Sequence, residues 1–224
     1  REGQMEETVE LLTPQLKRYE RFASLHALLS LAYGFLGQHR ESITHAQAAV
    51  DIDPSDEQNY FNLSMAYMTG DYYSLAARAR QQWLRSAHPS HPAYAEMLRL
   101  QEGYEAGSEQ LKTQYHLPDA QTATEAGYRL DEGRWAISQN KWHEALKHSL
   151  AAARLVPGWP PPRNNASNAY FFLGRYQDAM ALAEQVLQEC DPNNIHALSN
   201  AIRYSLSLGD EARARPYGER LRSL

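Results

Sequence analysis

The sequence predicts an all-α solenoid of about six helix-turn-helix units, and three observations carry that prediction. Residues of one kind return at a lag of 34: Gly3 and Gly37, Tyr33 and Tyr67, Trp142 and Tyr176, Ala145 and Ala179, Tyr170 and Tyr204. Each period holds two runs with apolar residues at helical spacing, parted by a turn and closed by proline, as a helix pair requires. Small residues recur where two helices have to approach closely, at Ser30, Ser42, Ala49, Gly133, Ala145, Ala152 and Ala179.

Taken in order, Arg1 to Gln4 align with an inter-helix turn and Met5 to Arg21 with a second helix. Residues 1–22 thus form the later half of a repeat. A preceding helix and flanking domains of a longer chain are the expectation there, because a lone second helix leaves an apolar face uncovered. The unit at residues 23–56 has a first helix, Leu25 to Gly37, and a partner, Gln38 to Val50, ending before Asp53-Pro54. Residues 57–90 repeat the pattern with Tyr67, Ala76 and Trp83 in phase. Residues 91–125 have the right length but lack the small residues, and form a degenerate third unit. In it a helix opens at His91-Pro92, a short second one spans Leu111 to His116, and Asp119 caps a long helix running towards Asn140. Residues 126–159, 160–193 and 194–224 complete the array. Trp159-Pro160-Pro161-Pro162 predicts an extended, stiff connection, and Pro216 predicts a kink or a late start in the last helix.

At these residues the chain resembles the tetratricopeptide repeat (TPR) family. Leu29-Ser30, Tyr33, Gly37, Ser42, Ala49 and Pro54 stand where that repeat places Leu-Gly, Tyr, Gly, Ala, Ala and Pro, and Ala166-Ser167, Tyr170, Gly174 and Ala179 do likewise. The first-helix tryptophan is replaced by His26, Tyr60 and Arg163. The resemblance implies a right-handed superhelix, a single solenoid over residues 1–224, whose first helices line a concave binding face.

Composition narrows the function. Among 224 residues, 43% apolar, no run approaches the roughly 18 apolar residues of a membrane span. A single cysteine, Cys190, excludes an internal disulfide, and the expectation is a cytoplasmic, reducing setting. The net charge of -5 argues against nucleic acid, and Glu211 and Glu219 dilute the run Arg213, Arg215, Arg220, Arg222. No catalytic residue is expected. The histidine pairs 39/45 and 143/148 miss the spacing of four that puts two ligands on one helix face. Cys190, next to Asp191, lacks the electropositive setting of a nucleophilic thiolate. No metal and no cofactor are expected.

What remains is a surface. The resemblance places ligand contacts on the outward side of the first helices, here Phe61, Met65, Met68, Arg99, Arg134, Asn164, Asn168, Phe171, Phe172 and Leu198. Methionines and aromatics at both ends suit an apolar or amphipathic protein or peptide partner. Asn164 and Asn168, four apart on one face, suit the backbone of an extended peptide. The lysine with which the family clamps a carboxylate tail is missing, so an acidic tail is disfavoured. The expected function is a noncatalytic interaction scaffold. The alternatives are a sensory domain that changes superhelical pitch on binding, and a substrate-recruiting module of an enzyme.

Overall fold

The computed structural model describes residues 2–224 and resolves two compact units, residues 1–106 and 107–224. Among the described residues there are twelve α-helices and no strand.

Residues 1–106 hold α1 (Glu2–Leu12), α2 (Ala23–Phe35), α3 (His39–Ile52), α4 (Glu57–Thr69) and α5 (Tyr73–Ser86), with α6 (Tyr94–Gln114) running on past the boundary. The opening differs from expectation. α1 starts by Glu2 and stops at Leu12, and Thr13–Lys17 tighten into a 3-10 turn, because Pro14 has no N–H to continue the α ladder; Arg1 lies outside the described residues. α2 packs on α3, α3 on α4 and α4 on α5. The small residues set these distances: Ser42 Oγ donates to the Ser30 carbonyl at 2.9 Å, and one period on Ser64 Oγ donates to the Ala76 carbonyl at 3.1 Å. Leu29, Ile43, Ala46 and Ala49 are shut off from water, and Trp83 anchors a further cluster with Ala87 and Met97.

Between Ser90 and Asp119 there is one helix of 21 residues, α6, where a helix from His91-Pro92 and a short second one over Leu111 to His116 were expected. No proline interrupts it. Gly103 and Gly107 cost about 1 kcal/mol each against alanine, which slows a helix without stopping it. The stop comes at His116, left-handed at φ 52, before Pro118.

Residues 107–224 continue with α7 (Ala120–Ser138), α8 (Trp142–Leu155), α9 (Pro160–Phe172), α10 (Tyr176–Gln185), α11 (Ile195–Ser207) and α12 (Glu211–Arg222). Asp119 caps α7, its carboxylate accepting from Thr122 N at 2.7 Å. Pro160 to Pro162 are the first turn of α9, which corrects the extended connection expected there: the first N–H groups of a helix have no intrahelical acceptor, so proline loses nothing. α10 passes into a π turn over Val186–Cys190. α12 runs through Pro216 without a late start. Ala179, Met180, Ala183, Val186, Leu198, Ala201 and Tyr204 form the buried heart of this unit.

One turn recurs in both units. Gly37, Asp71, Asn140, Gly174 and Gly209 all have φ between 57 and 75, one per helix pair. Each time the next N–H reaches the carbonyl five residues back at 2.9 Å: Gln38 to Tyr33, Tyr72 to Tyr67, Lys141 to Ala136, Arg175 to Tyr170, Asp210 to Ser205. That closure ends the first helix and reverses the chain into the second.

Candidate functional site

The first helices of three successive pairs, α7, α9 and α11, line a groove of about 560 Å³. Helical spacing sets its wall. Leu130 and Arg134 lie four apart on α7, Asn164 and Asn168 four apart on α9, and His196, Asn200 and Arg203 follow at four and three on α11. Pro161, Asn165 and Asn194 complete it. Five of these ten residues are asparagine and none is a carboxylate.

The asparagines are organised. Asn194 caps α11 by accepting from Ala197 N at 3.0 Å, and the same Oδ1 accepts from Asn164 Nδ2 at 3.0 Å. Asn168 Oδ1 accepts from Arg203 Nη2 at 2.8 Å, Asn200 Oδ1 accepts from the same nitrogen at 3.0 Å, and Asn200 Nδ2 donates to Ser167 Oγ at 3.4 Å. Asn164 Oδ1 and Asn165 Nδ2 are closed off from solvent and have no hydrogen-bond partner among the described residues. A desolvated amide left in that state costs about 1–3 kcal/mol. Arg203 lies over the Phe171 ring at 4.7 Å, and Phe171 stacks on Tyr204 at 5.1 Å.

The structure brings together three of the residues expected at the face, Arg134, Asn164 and Asn168, and Phe171 lies beneath Arg203 of the same groove. Phe172 is exposed and stacks on Trp142 at 4.2 Å, away from the groove lining. Leu198 is a correction. It is wholly buried with Ala197, Ala201 and Tyr204, because α11 packs against both α10 and α12 and so buries a broader stripe than the repeat lag implies. It cannot touch a ligand. In the other unit Phe61 is half-buried against Trp83 at 5.4 Å, and half-buried Met68 accepts from Arg80 Nη1 at 3.6 Å. Met65 remains exposed, and Arg99 is held by Glu96 at 2.6 Å. Asn165, Asn194, His196, Asn200 and Arg203 were missed. The available signal was asparagine itself, a poor helix former present three times in α9.

Among the described residues no three histidine, cysteine or acidic side chains converge as metal ligands, and no helix is long and apolar enough to cross a membrane.

The tetratricopeptide repeat family model matches residues 23–56, the α2–α3 pair with its Ser30–Ser42 approach. The chain carries a tetratricopeptide repeat. No curated protein matches the sequence. Solved tetratricopeptide repeat structures resemble the chain at low identity. YrrB, described as having an unusual peptide-binding site, is 12% identical, with a TM-score of 0.46 and coverage of 94% of this chain and 90% of that one. MamA is 13% identical, with a TM-score of 0.48 over 87% and 93% of the two chains. The TPR2AB domain of yeast Sti1, solved in complex with pHSP90, is 16% identical, with a TM-score of 0.44 over 98% and 84%. No partner or site passes from them to this chain.

Proposed function

We propose that the chain is a noncatalytic interaction scaffold that holds an extended segment of a partner protein in the asparagine groove of residues 107–224. The observation that supports this is the lining itself, five asparagines on an open groove with no carboxylate among them. An amide presents an acceptor and a donor together, which is the complement of a peptide unit. Asn168 Nδ2, whose own oxygen is taken by Arg203, adds a donor one turn along. Cytoplasmic placement accords with the lone Cys190.

The test is retention of an oriented library of acetylated, C-amidated octapeptides on immobilised protein, followed by calorimetry on the best binders. Replacing Asn164 and Asn168 together by alanine is expected to weaken binding about tenfold, since each lost hydrogen bond is worth about 0.5–1.5 kcal/mol. Unchanged affinity in the double variant would sink the reading.

A second reading rests on α2, where Leu28, Leu31 and Phe35 lie exposed at spacings of three and four on one face, and on exposed Met65 of α4. An amphipathic helix of a partner suits such a stripe, and it keeps the apolar partner expected from the sequence.

A further inference from the structure

Amides that bind peptide backbone discriminate little between sequences, so selection in the asparagine groove falls to its charges. The lining carries Arg134, His196 and Arg203 and no carboxylate, in a chain whose net charge is -5. Arg134 Nη1 lies 3.1 Å from Asp131 Oδ1 and is partly neutralised. Arg203 is different. No carboxylate lies within ion-pair distance of it among the described residues, whereas in the same unit Arg163, Arg175 and Arg213 have acidic partners at 3.1, 2.7 and 2.8 Å. It is nonetheless fixed in place. Phe171 and Tyr204 lie under the guanidinium at 4.7 and 5.2 Å, and Nη2 is held by the Asn168 and Asn200 oxygens and the Tyr204 hydroxyl. Its Nε and Nη1 donors are not among these bonds. A planar cation already oriented by neutral groups loses little freedom when a carboxylate arrives, and Nη1 or Nε can donate a charge-assisted hydrogen bond to one of its oxygens.

We infer that the groove selects a segment carrying an internal aspartate or glutamate, whose carboxylate meets Arg203 while Asn164 and Asn168 hold the backbone beside it. This rests on the peptide reading above. It departs from the sequence expectation that an acidic tail is disfavoured, because the cation comes from α11, three residues after Asn200, rather than from the position at which the family clamps a carboxylate tail.

The same amidated octapeptide library tests it, since its only carboxylates are those of side chains. The parent is expected to enrich Asp or Glu at one position, Arg203→Gln to lose that enrichment, and Arg203→Glu to exchange it for Lys or Arg. For the best acidic peptide, Arg203→Gln and the peptide's own acid-to-amide change should each weaken binding about tenfold, and the two together no more than either alone, as coupled groups do. Arg203→Lys should keep the acidic preference with weaker binding, and unchanged thermal midpoints in all three variants establish that each is folded. Retention through Asn164 and Asn168 without acidic enrichment overturns this inference and leaves the backbone reading standing. Retention of a matched library with free C-termini, where the amidated one is not retained, overturns the internal side chain. A library that is not retained at all overturns both.

Discussion

Gly174 and Asn140 occupy the same left-handed place in successive turns, at φ 75 and 57, and only one of them is free of a side-chain penalty. Nothing lies within 4 Å of where a Cβ would stand on Gly174, so Gly174→Ala measures backbone strain alone. It is expected to cost about 1–2 kcal/mol in urea unfolding, and Asn140→Gly to gain up to about 1 kcal/mol. Equal midpoints for Gly174→Ala and the parent would refute the account of the turn. A second residue-scale expectation concerns His45, whose Nδ1 lies 3.0 Å from His26 Nδ1. Because His26 Nε2 donates to the Glu20 carbonyl at 3.0 Å, the neutral His26 accepts from His45. Burial first, and the charge of His26 second, hold His45 below its ordinary 6.5, against the opposing pull of Glu41. The folded state therefore binds its proton less readily than the unfolded chain. The stability is fully present above 6.5 and is lost as pH falls through the lowered folded value. Thermal midpoints measured from about pH 8 to 5 should fall less steeply in His45→Gln than in the parent; parallel curves would contradict this.

At the scale of elements, the helix pairs were legible because their signals are local: a glycine that ends a helix, a small residue at each crossing, an N-cap at Asp119. The prolines were misread where position within the helix decides the outcome. Pro160 to Pro162 sit where N–H groups are idle, whereas Pro216 is well inside α12 and removes a bond the helix would otherwise make. Pro216 is exposed, so Pro216→Ala should raise the urea midpoint by the equivalent of about 1–3 kcal/mol with no packing lost. A lower midpoint would show that the proline is there for shape. The candidate groove was half legible. Asn164 and Asn168 could be found from their spacing, but Leu198 and Phe61 could not be assigned, because α10, α12 and Trp83 bury them and none of those is near in sequence to the residue it covers.

At the scale of the molecule, contacts in residues 107–224 run from each helix to its neighbours in the array: α7 to α8, α8 to α9, α9 to α10 and α11, α11 to α12. Stability in such a chain is close to a sum of nearest-neighbour terms, so damage should stay local. Ala179 is fully buried, and Ala179→Leu should overpack by about 1–3 kcal/mol. Amide exchange in α9, α10 and α11 should quicken while α2 and α3 keep their protection; uniform acceleration would mean the whole chain opens at once. The π turn at Val186–Cys190 shows how the array keeps time. From Tyr33 to Pro54 there are 21 residues and from Pro54 to Tyr67 another 13, whereas Tyr170 to Pro192 takes 22 and Pro192 to Tyr204 only 12. The wide turn takes up a residue that the following linker gives back, so Tyr204 arrives on the beat and its hydroxyl meets Ser167 Oγ at 3.2 Å. An insertion of one residue in a helix is thus tolerated as a local widening, and the rhythm of the chain survives a change in the length of its parts.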